Sequence, residues 1–223
     1  MASHFFTSRY GGVSEGAFHE NNLALHVGDV EESVLRNRRH LTSIVGDIVF
    51  MNQSHGDCVV LVDDTTSTEP AADAMITRSS GLNLAVLAAD CIPLLLWDGN
   101  AQCVAAVHVG RKGLMNGIAV KTVEKMQELG SENIRGVLGP SICGKCYEVG
   151  EDIFDEVSAL FPLAKSHSTS GKRALDLAGA LQDQLQELKI DTARASSCTR
   201  EEQSLFSYRR DGVTGRIAGV ISL

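Results

Sequence analysis

The chain has 223 residues, 43% of them hydrophobic and 22% charged, ordinary globular proportions far from disordered or fibrous compositions. A domain of this length removes roughly 70 to 75% of its extended-chain surface from water, so a core forms without disulfide or metal staples. Twenty basic against 28 acidic side chains leave a net charge of −8, which argues against nucleic acid or an anionic membrane as a partner.

No apolar run approaches the roughly 20 residues that span a bilayer, and Met1-Ala2-Ser3-His4 is not a basic region leading into an apolar stretch. A cytoplasmic protein is expected, and the six cysteines (58, 91, 103, 143, 146, 198) are then read as thiols or metal ligands rather than disulfides. Without repeats, low-complexity tracts or a Pro-rich linker, residues 1–223 read as a single domain.

In chain order, residues 1 to 29 are rich in Gly and polar residues, with Gly11-Gly12 and Gly16 marking turns between short extended pieces. Asp29-Val30-Glu31-Glu32 has capping-box spacing, with Asp29 as N-cap, and Val34, Leu41 and Val45 share one face; a helix is expected from about 30 to 45. The arginines within it, Arg36, Arg38 and Arg39, read as a solvated face.

From 47 to 110 the pattern changes to short apolar runs separated by turn residues: Ile48–Met51, Val59–Val62, Ala74–Thr77, Leu82–Ala88, Ile92–Trp97 and Gln102–Val109. This block is the expected sheet, broken near Ala89–Pro93 because proline suits a central ladder poorly. Met115, Ala119, Val123 and Met126 then recur at helical spacing up to Gly130, as do Leu177, Leu181, Leu185 and Leu188 after an expected N-cap at Asp176. Short strands near Val137, Ala193 and 215–223 complete an α+β pattern of mixed β-sheets with flanking helices.

Of seven histidines, His55 and His108 occur in small Gly-containing turns at the ends of strand-like runs, Gln53-Ser54-His55-Gly56 and Val107-His108-Val109-Gly110. Cys91 lies between them, 36 residues after the first and 17 before the second. Such spacings form no local metal motif, and a lone His or Cys beside an apolar strand is more often a packed residue. Spacing therefore leaves both readings open.

Several blocks stand in a recognisable order: Phe6-Thr7-Ser8-Arg9-Tyr10-Gly11-Gly12-Val13-Ser14, Asn22 to Asp29, Gln53 to Gly56, Ala89-Asp90-Cys91-Ile92-Pro93, His108 to Gly113, Leu138-Gly139-Pro140-Ser141-Ile142, Cys146-Tyr147-Glu148-Val149 and Phe206-Ser207-Tyr208-Arg209. Together they resemble the laccase-domain family, also described as polyphenol oxidase-like or YfiH-like purine nucleoside phosphorylases. The resemblance implies a mixed-sheet α+β fold and one zinc held by His55, Cys91 and His108, which would also be the catalytic residues. It further implies phosphorolysis of adenosine, inosine and methylthioadenosine, with adenosine deamination as a second reaction. After the His-x-Gly block, where the family usually carries tryptophan, this chain has Arg111.

Two imidazoles and a thiolate suit zinc, and three protein ligands leave a fourth position open, as catalytic sites do. For phosphate, Arg9 and Asn22 in the Gly-rich N-terminal blocks are the expected binding residues. The expected partners are the nucleoside and phosphate, with the chain a monomer or homodimer.

Three alternatives accompany this reading. Copper in place of zinc would give a polyphenol oxidase, although no His-x-His pair is present for a multicopper cluster. Cys91 as nucleophile and His108 as base would give a cysteine-type amidase or hydrolase, suited to editing cell-wall precursors. A fourth ligand from Cys58 or Cys103 would make a closed, non-catalytic zinc module. Cys143-Gly144-Lys145-Cys146 has ligand spacing but no second pair in the sequence pattern, and reads as structural; Arg209-Arg210 reads equally as a cleft lining or a surface ion pair.

Overall fold

The computed structural model describes residues 2–66, 68–100 and 102–223. The chain opens with β1 (Ser3–Phe6), α1 (Glu31–Val45), β2 (Ile48–Phe50), β3 (Val59–Val62), β4 (Ala74–Thr77) and β5 (Asn83–Ala88). It continues through β6 (Ile92–Asp98), β7 (Val104–Val109), α2 (Arg111–Met115), α3 (Ile118–Glu128), β8 (Ile134–Leu138) and α4 (Glu151–Leu160). It closes with β9 (Lys165–His167), β10 (Arg173–Leu175), α5 (Leu177–Glu187), β11 (Asp191–Arg194), α6 (Tyr208–Asp211) and β12 (Ile217–Ser222). None of the helices is long and apolar enough to cross a membrane among the described residues.

Two mixed sheets stack face to face. The smaller has the order β1-β12-β5-β2 and the larger β11-β8-β6-β7-β4-β3, while β9 and β10 form a separate hairpin. Side-chain alternation of period two explains the layering. Along β6, Leu95 enters the core between the sheets, with Met75, Leu84, Val86 and Ala106, while Leu94 and Leu96 turn the other way. That other face is covered by α3 and α5 through Ile118, Val123, Met126, Leu181 and Leu185. Strands buried on both faces read as continuous apolar runs, which is why 92–96 and 104–107 carry almost no polar residue. Removing a side chain such as the fully buried Leu95 costs about 2 to 5 kcal/mol.

The outer face of the small sheet is closed by α1, whose Leu41 packs with Phe50, Leu87 and Val220. Its start departs from the expected capping box. Val30 is the N-cap, and no side chain caps the helix. Asp29 instead accepts from the Asn22 amide at 2.9 Å and from Val30 N at 2.8 Å, so its carboxylate ties the preceding loop. Arg38 also departs from the solvated-face reading. It is buried, donates from Nε to Leu23 O at 2.8 Å, pairs with Glu69 and lies 3.9 Å over the Phe50 ring. Arg39 lies on the expected solvated face, where it pairs with the exposed Glu32.

The strand block matches the sequence expectation closely, including the break between β5 and β6. Pro93 is the second residue of β6, opposite His108, and its carbonyl accepts from Gly139 N at 2.9 Å. Its missing N–H thus falls near a strand start, where proline is tolerated. Elements unmarked by the sequence reading are β1, α2, α4, α6 and the β9–β10 hairpin.

Candidate active site

Two strand ladders bring together residues far apart in sequence. In the antiparallel β6–β7 pair, Ile92 stands opposite Val109 and Pro93 opposite His108, so Cys91, one step before β6, falls beside Gly110. The adjoining β4–β7 ladder sets Ala74 opposite Val107, which puts Asp73 beside His108. His55 arrives on the turn after β2, held by Gln53: its amide donates to Leu87 O at 2.8 Å and accepts from Leu87 N at 2.9 Å, extending the small sheet by a side chain. His55 itself has φ +61°, a left-handed conformation maintained by the hydrogen bonds around it.

The ligand-type atoms of His55, Cys91 and His108 all lie within 4.8 Å of one another, and Cys91 Sγ is 3.8 Å from His55 Nε2. A tetrahedral zinc with Zn–S of about 2.3 Å and Zn–N of about 2.05 Å separates sulfur and nitrogen by about 3.6 Å. The donor set and spacing therefore fit that ion. The two imidazoles sit edge to face, 4.6 Å between centroids. Gly110 is required here by space: a Cβ would stand 3.0 Å from Cys91 Sγ and 3.2 Å from His55 Cδ2.

Behind the trio stands Asp73, fully buried. Its Oδ1 accepts from His55 N and His108 Nδ1, both at 2.9 Å, and its Oδ2 accepts from Gly56 N at 2.7 Å and from Ser54 N and Oγ at 3.2 and 3.1 Å. One carboxylate thus shapes the His55 turn and fixes His108 with Nδ1 as donor, leaving Nε2 for a metal. Burial pushes the Asp73 carboxyl up, but His108 and the turn N–H groups hold it well below the usual carboxylate range. Burial pushes the Cys91 thiol up too, and the two histidines more than reverse this, to about 6. His108 is pushed down by burial and raised by Cys91 and Asp73 to about 9. Without metal the geometry favours a thiolate beside an imidazolium.

The trio opens into a cavity of about 510 Å³, a size typical of small-molecule sites. Its cationic wall comes from Arg111, Lys112, Arg209 and Arg216, and Tyr147 and Tyr208 add aromatic surface. Asp90, at φ +93°, shapes this wall. It accepts from Thr199 Oγ1 at 2.6 Å, Ser207 Oγ at 2.7 Å and Arg209 N at 2.6 Å, fastening the 199–209 segment to the Cys91 turn. Arg209 lies 4.9 Å over the Tyr147 ring and donates to Glu148 O at 2.9 Å. Arg210 turns away, donating to the carbonyls of Thr199 and Leu205 at 2.9 and 2.8 Å and pairing with Asp211.

Neither residue expected to hold phosphate lines this cavity. Asn22 is fully buried: its oxygen accepts from Ala24 N and Arg216 N, both at 3.0 Å, and its nitrogen donates to Ala24 O and Asp29. An amide engaged on all sides has no donor left for a ligand; Asn22 instead fixes the backbone at Arg216. Arg9 stacks 4.8 Å over Phe206, and its buried Nε lacks a hydrogen-bond partner. Cys103 is buried against Ser131 Oγ at 3.0 Å and Cys58 is exposed at the start of β3; neither joins the trio as a fourth ligand.

Residues 3–223 match the sequence profile of a family described as "multi-copper polyphenol oxidoreductase laccase". The chain belongs to this family. Two similar proteins are named purine nucleoside phosphorylases: one from Corynebacterium glutamicum, 41% identical over 98% of this chain and 93% of its own length, and one from Streptomyces coelicolor, 43% identical over 99% and 96%. A crystal structure of a Neisseria meningitidis protein superposes with a TM-score of 0.92 at 35% identity, covering 100% of this chain and 94% of that one. Among the described residues of this laccase-family chain, the groups able to hold a metal are the His55–Cys91–His108 trio and a cluster of three cysteines with Glu201. Neither has the many histidines of a multicopper cluster.

Asp73, Gln53, Asp90 and Arg216 carry no role in the sequence reading, whereas of the Arg209-Arg210 pair, read equally as cleft lining or surface ion pair, Arg209 lines the cavity and Arg210 makes the ion pair. A lone Asp directly before the apolar run 74–77 was the one available signal for Asp73.

Proposed function

We propose that this chain is a zinc-dependent purine nucleoside phosphorylase acting on adenosine, inosine and methylthioadenosine, with adenosine deamination as a second reaction of the same site. The observation that carries the reading is the convergence of His55, Cys91 and His108, backed by Asp73, at the floor of a cavity with a cationic wall. The names of the two relatives support the choice of reaction. Zinc held by the trio would supply a Lewis acid for a polar substrate atom.

The chain's own residues divide the remaining work. Asp73 keeps His108 in the ligating tautomer. Tyr147 and Tyr208 offer flat surface to the purine. Arg209 and Arg216 bind phosphate, a task for which planar guanidinium forks are suited. Arg111 adds a cation where the family usually has tryptophan, and bears on which nucleosides are accepted. Chromatography of each nucleoside incubated with and without phosphate tests the reading: free base should form only with phosphate, and inosine should form from adenosine without it. Nucleosides unchanged in both arms, with a fully metallated protein, would refute it.

A second reading rests on the Cys91–His108 pair, which resembles the thiolate and imidazolium of cysteine hydrolases. Metal analysis separates the two: stoichiometric zinc would occupy that thiolate as a ligand and count against the hydrolase. An active metal-free protein that iodoacetamide inactivates would favour the hydrolase instead.

A further inference from the structure

Four more ligand-type side chains gather where the proposed reaction makes no use of them. Cys143 and Cys146 lie on the turn after β8, and Cys198 and Glu201 lie on the loop after β11. Strands β8 and β11 run parallel, and their pairing reappears beyond the strand ends as a bridge between Ser141 and Cys198, with Thr199 N donating to Ser141 O at 3.1 Å. Sheet topology thus sets the two loops side by side. The ligand-type atoms of all four residues lie within 4.8 Å of one another.

The sequence pattern becomes readable only with this juxtaposition. Cys143-x-x-Cys146 lacked a second pair; the structure supplies Cys198-x-x-Glu201. Two C-x-x-C halves make a structural zinc site, and a carboxylate is an accepted zinc ligand in place of one thiolate. Cys143 N already donates to Cys198 Sγ at 3.3 Å, and Cys146 Sγ to Glu201 Oε1 at 3.2 Å. A tetrahedral zinc places sulfurs about 3.8 Å apart and sulfur and oxygen about 3.6 Å apart, so small shifts close the set. Cys146 and Cys198 are buried while Glu201 is exposed, which gives the ion a route in. A disulfide would join two of the thiols and leave the third thiol and the carboxylate without purpose.

We propose that Cys143, Cys146, Cys198 and Glu201 form a second zinc site, closed by four protein ligands and structural in role. Its ion clamps the turn carrying Tyr147 to the loop carrying Thr199, whose hydroxyl holds Asp90 beside Cys91. The second site thereby stiffens one wall of the cavity.

Cobalt titration of the full-length, reduced Cys91→Ser protein tests this, because that substitution removes the thiolate of the first site. One equivalent of Co²⁺ should produce sulfur-to-cobalt charge transfer in the near ultraviolet with visible bands of tetrahedral cobalt. Adding Cys143→Ser should abolish them. Glu201→Gln, at an exposed position that leaves the fold intact, should retain thiolate absorption but lose zinc to a chelator that the parent protein resists. Absence of thiolate–cobalt absorption in the reduced Cys91→Ser protein would overturn the proposal, as would absorption unaffected by Cys143→Ser. So would thiol counting and peptide mapping that find two of these cysteines joined in a disulfide that zinc and reductant do not replace with a metal site.

Discussion

Replacing Asp73 with Asn removes one charge and changes one atom, yet it should unsettle the whole centre. If the amide oxygen takes the place of Oδ1, its NH₂ group meets the N–H donors of Ser54 and Gly56, which now lie 3.2 and 2.7 Å from Oδ2. Two part-buried donors that lose their acceptor cost up to about 1 to 3 kcal/mol each. If the amide turns over, NH₂ faces His55 N and His108 Nδ1, both 2.9 Å from Oδ1. His108 can then relieve the conflict only by moving its proton to Nε2, the nitrogen needed for ligation. Both arrangements lose stability of about 2 to 5 kcal/mol, a fall in Tm of roughly 5 to 20 °C for a chain of this size. Zinc affinity should drop about 10- to 100-fold, as for lost outer partners of ligating histidines. Thermal melting of metal-free protein measures the first effect, and competition against a chromophoric chelator the second. An Asp73→Asn protein with unchanged Tm and unchanged zinc affinity would refute the role given to this carboxylate.

Alkylation of Cys91 by iodoacetamide in zinc-stripped protein should rise through about pH 6, because the histidines depress the thiol and thiolate accumulates above its pKa. A free thiol would show that rise near pH 8.5, and zinc should suppress the reaction throughout; mass spectrometry of the labelled peptide reads both effects. Gly110→Ala has ordinary backbone torsions available but drives Cβ toward Cys91 and His55, so zinc content should fall while Tm shifts only a few degrees. Arg209→Ala should raise the KM for phosphate roughly 10- to 150-fold, the worth of one charged hydrogen bond of about 1.5 to 3 kcal/mol, whereas Asn22→Asp should act through the Arg216 backbone and lower Tm; initial-rate kinetics and melting separate the two.

Apolar runs made most of the fold legible. Strands β2 to β7 announce themselves because 48–50, 59–62, 74–77, 83–88, 92–98 and 104–109 are bounded by Gly, Asp, Asn and Ser, and in β4 to β7 burial on both faces leaves little polar residue inside them. Helix α4 was missed although Ile153, Phe154 and Val157 share a face, because its start at Gly150 carries no side-chain cap. The N-cap of α1 was misplaced since Asp29, a good cap by type, is drawn to Asn22 by tertiary contact. Arg38 looked like a surface cation, and only packing across the small sheet revealed a carbonyl, a carboxylate and an aromatic face for it.

The three residues that converge were legible through the family resemblance, and their support was not. Spacing left His55, Cys91 and His108 open between packed residues and a site, because their meeting depends on ladder register, which no spacing encodes. Asp73 looks like any Asp before a strand until β4 is paired with β7. Phosphate was assigned to Arg9 and Asn22 by composition of their loops, whereas the cations that reach the cavity lie at 111, 112, 209 and 216, on elements brought in by the fold. Cys198 and Glu201 had no evident partner for the same reason.

The claim that a metal on His55, Cys91 and His108 drives phosphorolysis is tested most directly by one assay: hypoxanthine released from inosine, with saturating phosphate, by metal-quantified protein. Wild type carrying zinc should release base, chelator-stripped protein should not, added zinc should restore the rate, and Cys91→Ser should stay inactive at any zinc level. Phosphate-dependent release that persists undiminished in Cys91→Ser, or in fully stripped wild type, would contradict the account.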